Sequence, residues 1–250
     1  MSGHNKWSTI KRKKGAADAK RSKIFSRISK EITIAVKEGG TSDPDFNPRL
    51  RTAIINAKGV NMPKDAINRA LSKGESGTEN YSEVTFEATG PGGVALYIEC
   101  LTDNNLRTVS TIRSIFNKRG GTLGKNGSLH YLFDRKGIFN IPIGKHDIEE
   151  LELELIDAGL EDIEEAEDHL ILYTTLENFG NLQKKLDEMK IEPEVSELQR
   201  IPNARKTVDL DTAKKVLKLI EMLEDDDDVQ HVFHDLEMTD EIEKALEEQQ

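Results

Sequence analysis

The chain has one cysteine, Cys100, and one tryptophan, Trp7, among 250 residues. A lone cysteine excludes a disulfide framework. Set in an apolar, strand-like run, it reads as a buried, inert thiol, and a reducing cytoplasm is the expectation. No apolar run approaches the roughly 18 residues of a spanning helix, so no membrane partner is expected. The N-terminus lacks the apolar block of a secretory signal. No zinc-finger spacing is present, and no Ser-His-Asp or Cys-His constellation can be argued from the residues. Carboxylates are also scarce at one end: Asp18 is the only one in the first thirty residues.

Basic residues fill that gap. Lys6, Lys11, Arg12, Lys13, Lys14, Lys20, Arg21, Lys23, Arg27 and Lys30 crowd the stretch, with Trp7 set among the first of them. The whole chain is nevertheless acidic, at net charge -11. Residues 1–80 hold 17 Lys and Arg against 8 Asp and Glu, residues 81–143 hold 7 against 5, and residues 144–250 hold 11 against 33. One end attracts polyanions and the other repels them, which bears on partners and orientation rather than on fold. An arm over residues 1–15 leading into a cationic helix face suits the phosphates of duplex DNA or ribosomal RNA. The expected nucleic-acid contacts are therefore these ten basic residues, with Trp7 as a candidate for stacking on a base. The plainer alternative is a solvated terminus with Trp7 packed on its own domain.

Apolar periodicity predicts a helix over 19–36, with Ile24, Phe25, Ile28, Ile32, Ala35 and Val36 inward and Lys20, Lys23, Arg27 and Lys30 on the other side. Arg21 and Ile34 break the pattern. Asn47-Pro48 reads as the cap and first turn of a second helix that Gly59 ends, and Pro63 opens a third that Gly74 closes. From Tyr81 the pattern turns to strands: SEVTFEAT, the turn Gly90-Pro91-Gly92-Gly93, then VALYIECL. A helix over 105–119 and a strand over 129–133 complete a ββαβ piece. Residues 137–202 read as βαββαβ, the order of a ferredoxin-like sandwich. The helix at 211–223 and the strand at 229–236 supply what the ββαβ piece lacks, so the sandwich reads as an insertion. The expected architecture is α+β and multidomain. It comprises a helical basic domain over 1–78, a discontinuous α/β domain over 79–135 and 206–250, and an inserted ferredoxin-like acidic domain over 136–205.

Three motifs suggest chemistry and are better explained otherwise. RGGTLGKNGS, residues 119–128, fails the phosphate-loop pattern because Asn126 follows Gly-Lys where Ser or Thr is needed, and it reads as a tight loop before a strand. Gly90-Pro91-Gly92-Gly93 reads as a turn that, beside Arg107 and Asn105, offers a further RNA contact. The run Asp225 to Asp228, with His231 and His234 nearby, suggests a metal. However, histidines three apart on a strand face opposite ways, and four successive aspartates converge only in a purpose-shaped loop. A solvated helix end is the better reading, and no metal or cofactor is expected.

Six runs, GHNKWSTIKRKKGAADAKRSKIF, NPRLRTAI, NMPKDAINRA, GPGGVALYIECLTDN, GGTLGKNGS with YLF, and MLEDDDDVQHVFH, stand in an order that resembles the YebC/PmpR family. The resemblance spans Ser2 to about His234, and Asn5 and Leu106 depart slightly from it. It implies three domains, the last inserted. It also implies a DNA-binding transcriptional regulator of the bacterial cytoplasm, or a role in translation at ribosomes stalled on stretches such as proline runs, as for relatives that include a mitochondrial branch. The basic, acid-poor start has the composition of a mitochondrial transit peptide; the resemblance instead makes Gly3 through Trp7 the family's own start.

The resulting expectation is a cytoplasmic, non-enzymatic nucleic-acid-binding regulator of gene expression, with no small-molecule substrate identified. The alternative is a ribosome-associated translation factor, and a remote one is a metal-dependent nuclease built on Asp225 to Asp228.

Overall fold

A computed structural model of the protein describes residues 18–144, 147–166 and 169–247. Its described residues gather into two compact units, one of 18–27, 80–134 and 200–247, the other of 28–79 and 135–199.

Three helices, α1 (Asp18–Gly39), α2 (Pro48–Gly59) and α3 (Lys64–Ser76), come first. The Asn47 side chain caps α2 by accepting from the Leu50 N–H at 3.1 Å, and its amide donates to the Ala35 carbonyl at 2.7 Å and the Thr41 carbonyl at 3.1 Å. Pro48 follows at the first helical position, where its missing N–H costs nothing. The buried part of α1 differs from the expected stripe. Five successive residues, Ile32 to Val36, are buried, while Ile24 is exposed. The helix is enclosed on several sides there, so Ile34 fits although it breaks the periodicity.

The second sheet lies in the same unit as residues 28–79. It is built from β4 (Phe133–Pro142), α5 (Ile148–Ile156), β5 (Leu160–Glu165), β6 (His169–Thr175), α6 (Phe179–Glu188) and β7 (Val195–Pro202), with strand order β5-β6-β4-β7. That is the ferredoxin-like arrangement read from the sequence. Phe139, Ile141, Leu151, Leu155, Leu170, Leu172, Leu182 and Leu186 fill its core. Strand β7 is an edge, and α2 guards it. The Asn56 amide donates to the Ser196 carbonyl, and its oxygen accepts from the Ser196 N–H, each at 2.8 Å. A side-chain amide thus satisfies the pair of backbone groups that an edge strand leaves open.

The first sheet comprises β1 (Ser82–Thr89), β2 (Ala95–Thr102), β3 (Thr122–Leu123) and β8 (Val229–His234), in the order β3-β1-β2-β8. Helix α4 (Asn105–Arg119) leads into β3, and α7 (Leu210–Glu224) precedes β8. Leu96, Ile98, Ile112, Phe116, Val216, Ile220 and Val232 form the core between them. The chain leaves this sheet before β4 and returns to it after β7, so the second sheet is inserted into the first.

The strand expected over 129–133 is not formed. Residues His130–Leu132 make a 3-10 turn, because Leu129 and Leu132 pack against Tyr97, Phe133 and Phe233 on the far face of the sheet; the third strand is Thr122–Leu123. On that face the Arg200 guanidinium lies 3.8 Å from the Tyr97 ring centre and donates to Glu99 at 2.9 Å. A final helix, α8 (Asp240–Glu247), which the sequence reading lacked, buries Ile242 and Leu246 in the main core.

Candidate nucleic-acid interface

Lys6, Trp7, Lys11, Arg12, Lys13 and Lys14 lie outside the described residues. Lys20 falls on the first turn of α1. Arg21 is exposed, with its guanidinium 5.8 Å from the Phe25 ring one turn on. Lys30 is half-buried.

Lys23 and Arg27 meet an internal acid. The Lys23 ammonium donates to the Asp225 carboxylate and to the Asp225 carbonyl, each at 2.8 Å, and Arg27 donates to the Glu224 carbonyl. Both partners lie at the C-terminal end of α7, where unsatisfied carbonyls already favour a cation. Burial pulls the Arg27 guanidinium below its ordinary value, while Glu224, Asp225, Asp227 and Asp226 pull it back up. Two of the expected phosphate contacts are therefore engaged within the protein, Lys23 by Asp225 and Arg27 by the Glu224 carbonyl.

The rest of that run is used inside the first sheet's unit. The Asp228 side chain is buried, and its Oδ2 accepts from Arg107 Nη2 at 2.7 Å, Thr108 Oγ1 at 2.9 Å and Thr102 Oγ1 at 3.1 Å. The backbone N–H of Asp228 donates to Asp226 at 2.9 Å. The hydrogen bonds of Arg107 to Asp228 and Asp103 raise its guanidinium above the ordinary value. Among the described residues no three His, Cys, Asp or Glu side chains gather as a metal site. His231 stacks on Phe233, while His234 is paired across from Leu96 and buried on the opposite face.

The turn Gly90 to Gly93 precedes β2, whereas Asn105 and Arg107 follow its far end. An eight-residue strand separates them, so they do not form one surface as the sequence reading supposed. The turn lies instead against Val208 and Thr212.

The loop after β3 is organised by Glu87, which sequence reasoning passed over. The buried Glu87 carboxylate accepts from the Gly127 N–H at 2.7 Å, the Ser128 hydroxyl at 3.3 Å and the Leu129 N–H. Its carbonyl accepts from the Gly124 N–H at 2.7 Å. An exposed loop carrying Lys125 and Asn126 is thereby fixed to the sheet. Replacing Glu87 with Gln should cost about 1–3 kcal/mol, as expected when a charge-assisted set of bonds is lost in a buried site. Hydrogen exchange at Gly127 and Leu129 is the check: unaltered protection there would show that the carboxylate does not hold the loop.

With a helical region and two antiparallel sheets, one inserted into the other, the class is an α+β multidomain protein. Residues 5–77 match the model of the TACO1/YebC protein N-terminal domain, and residues 81–236 match that of the TACO1/YebC second and third domain. The chain belongs to this family. It is 50% identical over 240 residues to a "probable transcriptional regulatory protein" of Amoebophilus asiaticus, covering 94% of this chain and 98% of the relative. A protein of the same description from Geobacillus thermodenitrificans is 46% identical, with full coverage of both chains. The crystal structure of a conserved hypothetical protein from Aquifex aeolicus superposes with a TM-score of 0.80 at 40% identity, covering 90% of this chain and 93% of that one.

Proposed function

We propose that the protein is a cytoplasmic regulator of gene expression that acts by binding nucleic acid rather than by catalysis, with its N-terminal basic segment as the anchor. The observation that carries this reading is 17 Lys and Arg against 8 Asp and Glu in residues 1–80 of a chain whose net charge is -11. The names of its curated relatives point the same way. A second reading, a translation factor on the ribosome, is favoured by the 33 acidic residues against 11 basic in residues 144–250. Long DNA would repel that region, whereas a large RNA-protein surface gives it somewhere to point or a basic protein to meet.

Reversing Arg12, Lys13 and Lys14 to Glu tests the anchor. If about six phosphates are contacted on duplex DNA, log affinity falls with log salt at a slope near roughly -5, and the triple reversal brings it to about -2 to -3. Changing Lys23 to Met should move the slope by less than about one contact's worth, because Asp225 already holds that ammonium. Fluorescence anisotropy across a salt series reads both, and retained binding by the triple variant would sink the anchor. Sedimentation of a lysate with and without ribonuclease separates the two readings: RNA-dependent migration with ribosomes selects translation, and a protein left at the top of the gradient selects DNA.

A further inference from the structure

The stretch from Asn104 to Phe133 contains no Asp or Glu in a chain with 46 of them, yet carries Arg107, Arg113, Lys118, Arg119 and Lys125. Arg107 is committed to Asp228 and Asp103. Arg113, Lys118 and Lys125 are exposed and have no carboxylate partner among the described residues. Val109, Arg113 and Asn117 are spaced four apart on α4 and so form one stripe along it. That stripe walls an open groove of about 340 Å³, within the range of roughly 300–1,000 Å³ typical of ligand clefts. The half-buried Leu123 and the small exposed part of Phe86, which is 8% exposed, contribute its apolar surface, and Gly121, Thr122 and Gly124 also line it. Lys125 follows on the loop that Glu87 clamps.

We propose that this groove takes an unpaired base of a single-stranded nucleic acid. The half-buried Val109 and Leu123, with the small exposed part of Phe86, receive the base, the Asn117 amide offers a donor and an acceptor to its edge, and Arg113 and Lys125 hold the flanking phosphates. The chemistry matches the recognition of single strands, in which bases leave the stack for apolar or aromatic surfaces beside a cationic track. A duplex keeps its bases stacked and cannot fill the groove. The fixed loop presents Lys125 without the cost of ordering its backbone on binding, so only the lysine side chain remains to be ordered. This site is separate from the basic arm but rests on the nucleic-acid reading of the protein.

The test uses the full chain and three fluorescein-labelled probes: a 12-nucleotide single-stranded RNA, the DNA of the same sequence, and its duplex. The double variant Arg113→Glu with Lys125→Glu is expected to lose single-strand affinity by about tenfold or more and to lower the salt slope by about 1.4, while duplex binding stays close to that of the parent. The Asn117→Ala variant should weaken single strands several-fold with an unchanged slope, and Arg113→Lys with Lys125→Arg should restore the slope. Comparing the RNA and DNA strands identifies which source the groove favours. Unchanged single-strand affinity in the double reversal overturns the proposal. If the Arg12, Lys13 and Lys14 reversal abolishes binding in the same series while the groove variant leaves single-strand affinity unchanged, the arm stands and the groove falls. A parent chain that binds no probe overturns both.

Discussion

Replacing Asp228 with Ala is expected to lower the unfolding midpoint by roughly 5–15 °C, corresponding to a loss of about 2–4 kcal/mol. Thr102 and Thr108 are essentially without solvent access, and both hydroxyls donate to this carboxylate. Thr108 has fallback acceptors, the Asn104 carbonyl at 3.1 Å and the Thr102 hydroxyl at 2.8 Å, and the half-exposed Arg107 can turn to water. Those escapes keep the expected loss below the full cost of breaking a buried charge network. Asp228→Asn keeps the shape and loses the charge, so it should fall between the two. Differential scanning calorimetry is the measurement, and a midpoint unmoved in Asp228→Ala would show that the carboxylate is not a structural tie. It would also reopen the reading of the acidic run as a site for a ligand.

The second large effect is expected at Gly59, the last residue of α2. A Cβ there would stand 1.9 Å from the Glu194 carbonyl oxygen, a backbone atom that no rotamer change can move aside. The glycine is required by this close approach rather than by its own dihedral angles. Gly59→Ala must push α2 off the chain leading into β7, and with it the paired bonds between Asn56 and Ser196. Overpacking of this kind costs typically about 1–3 kcal/mol, and the lost bonds add about 1 kcal/mol. Denaturant unfolding together with hydrogen exchange at the Ser196 amide should show both effects. Full protection at Ser196 in the alanine variant would contradict the close contact.

Much of the fold was legible because it rests on local rules. Asn47-Pro48 announced α2, and the spacing of elements over 137–202 gave a ferredoxin-like order. The helix and strand left over near the C-terminus implied the insertion. The errors occurred where distant residues decide. Leu129 and Leu132 look like a strand in sequence, but Tyr97 and Phe233 take them as a small cluster. Glu87 looks like the solvated half of an alternating strand, and only the loop folded back on it explains its burial. Lys23 and Arg27 look like free cations, because their partners at the end of α7 lie 202 and 197 residues away. Charge pattern shows that a face is basic, not which carboxylates reach it first. The groove on α4 had one available signal, the acid-free stretch between Asp103 and Asp134, which averaging over residues 81–143 concealed.

The insertion also has a bearing on how the chain is made. Strand β2 lies in the middle of the first sheet, but its neighbour β8 arrives late, since Thr102 and Asp228 are 126 residues apart. At synthesis rates of about 5–20 residues per second, the edge of β2 waits roughly 6–25 s for its partner. During that interval Leu96, Ile98 and Cys100 lack the cover that α7 and β8 later provide. The inserted sheet and the residues 28–79 that share its unit are already synthesised and can fold first. The nascent first sheet is then the segment most exposed to chaperones, and the arrival of Asp228 beside Thr102 and Thr108 marks its closure.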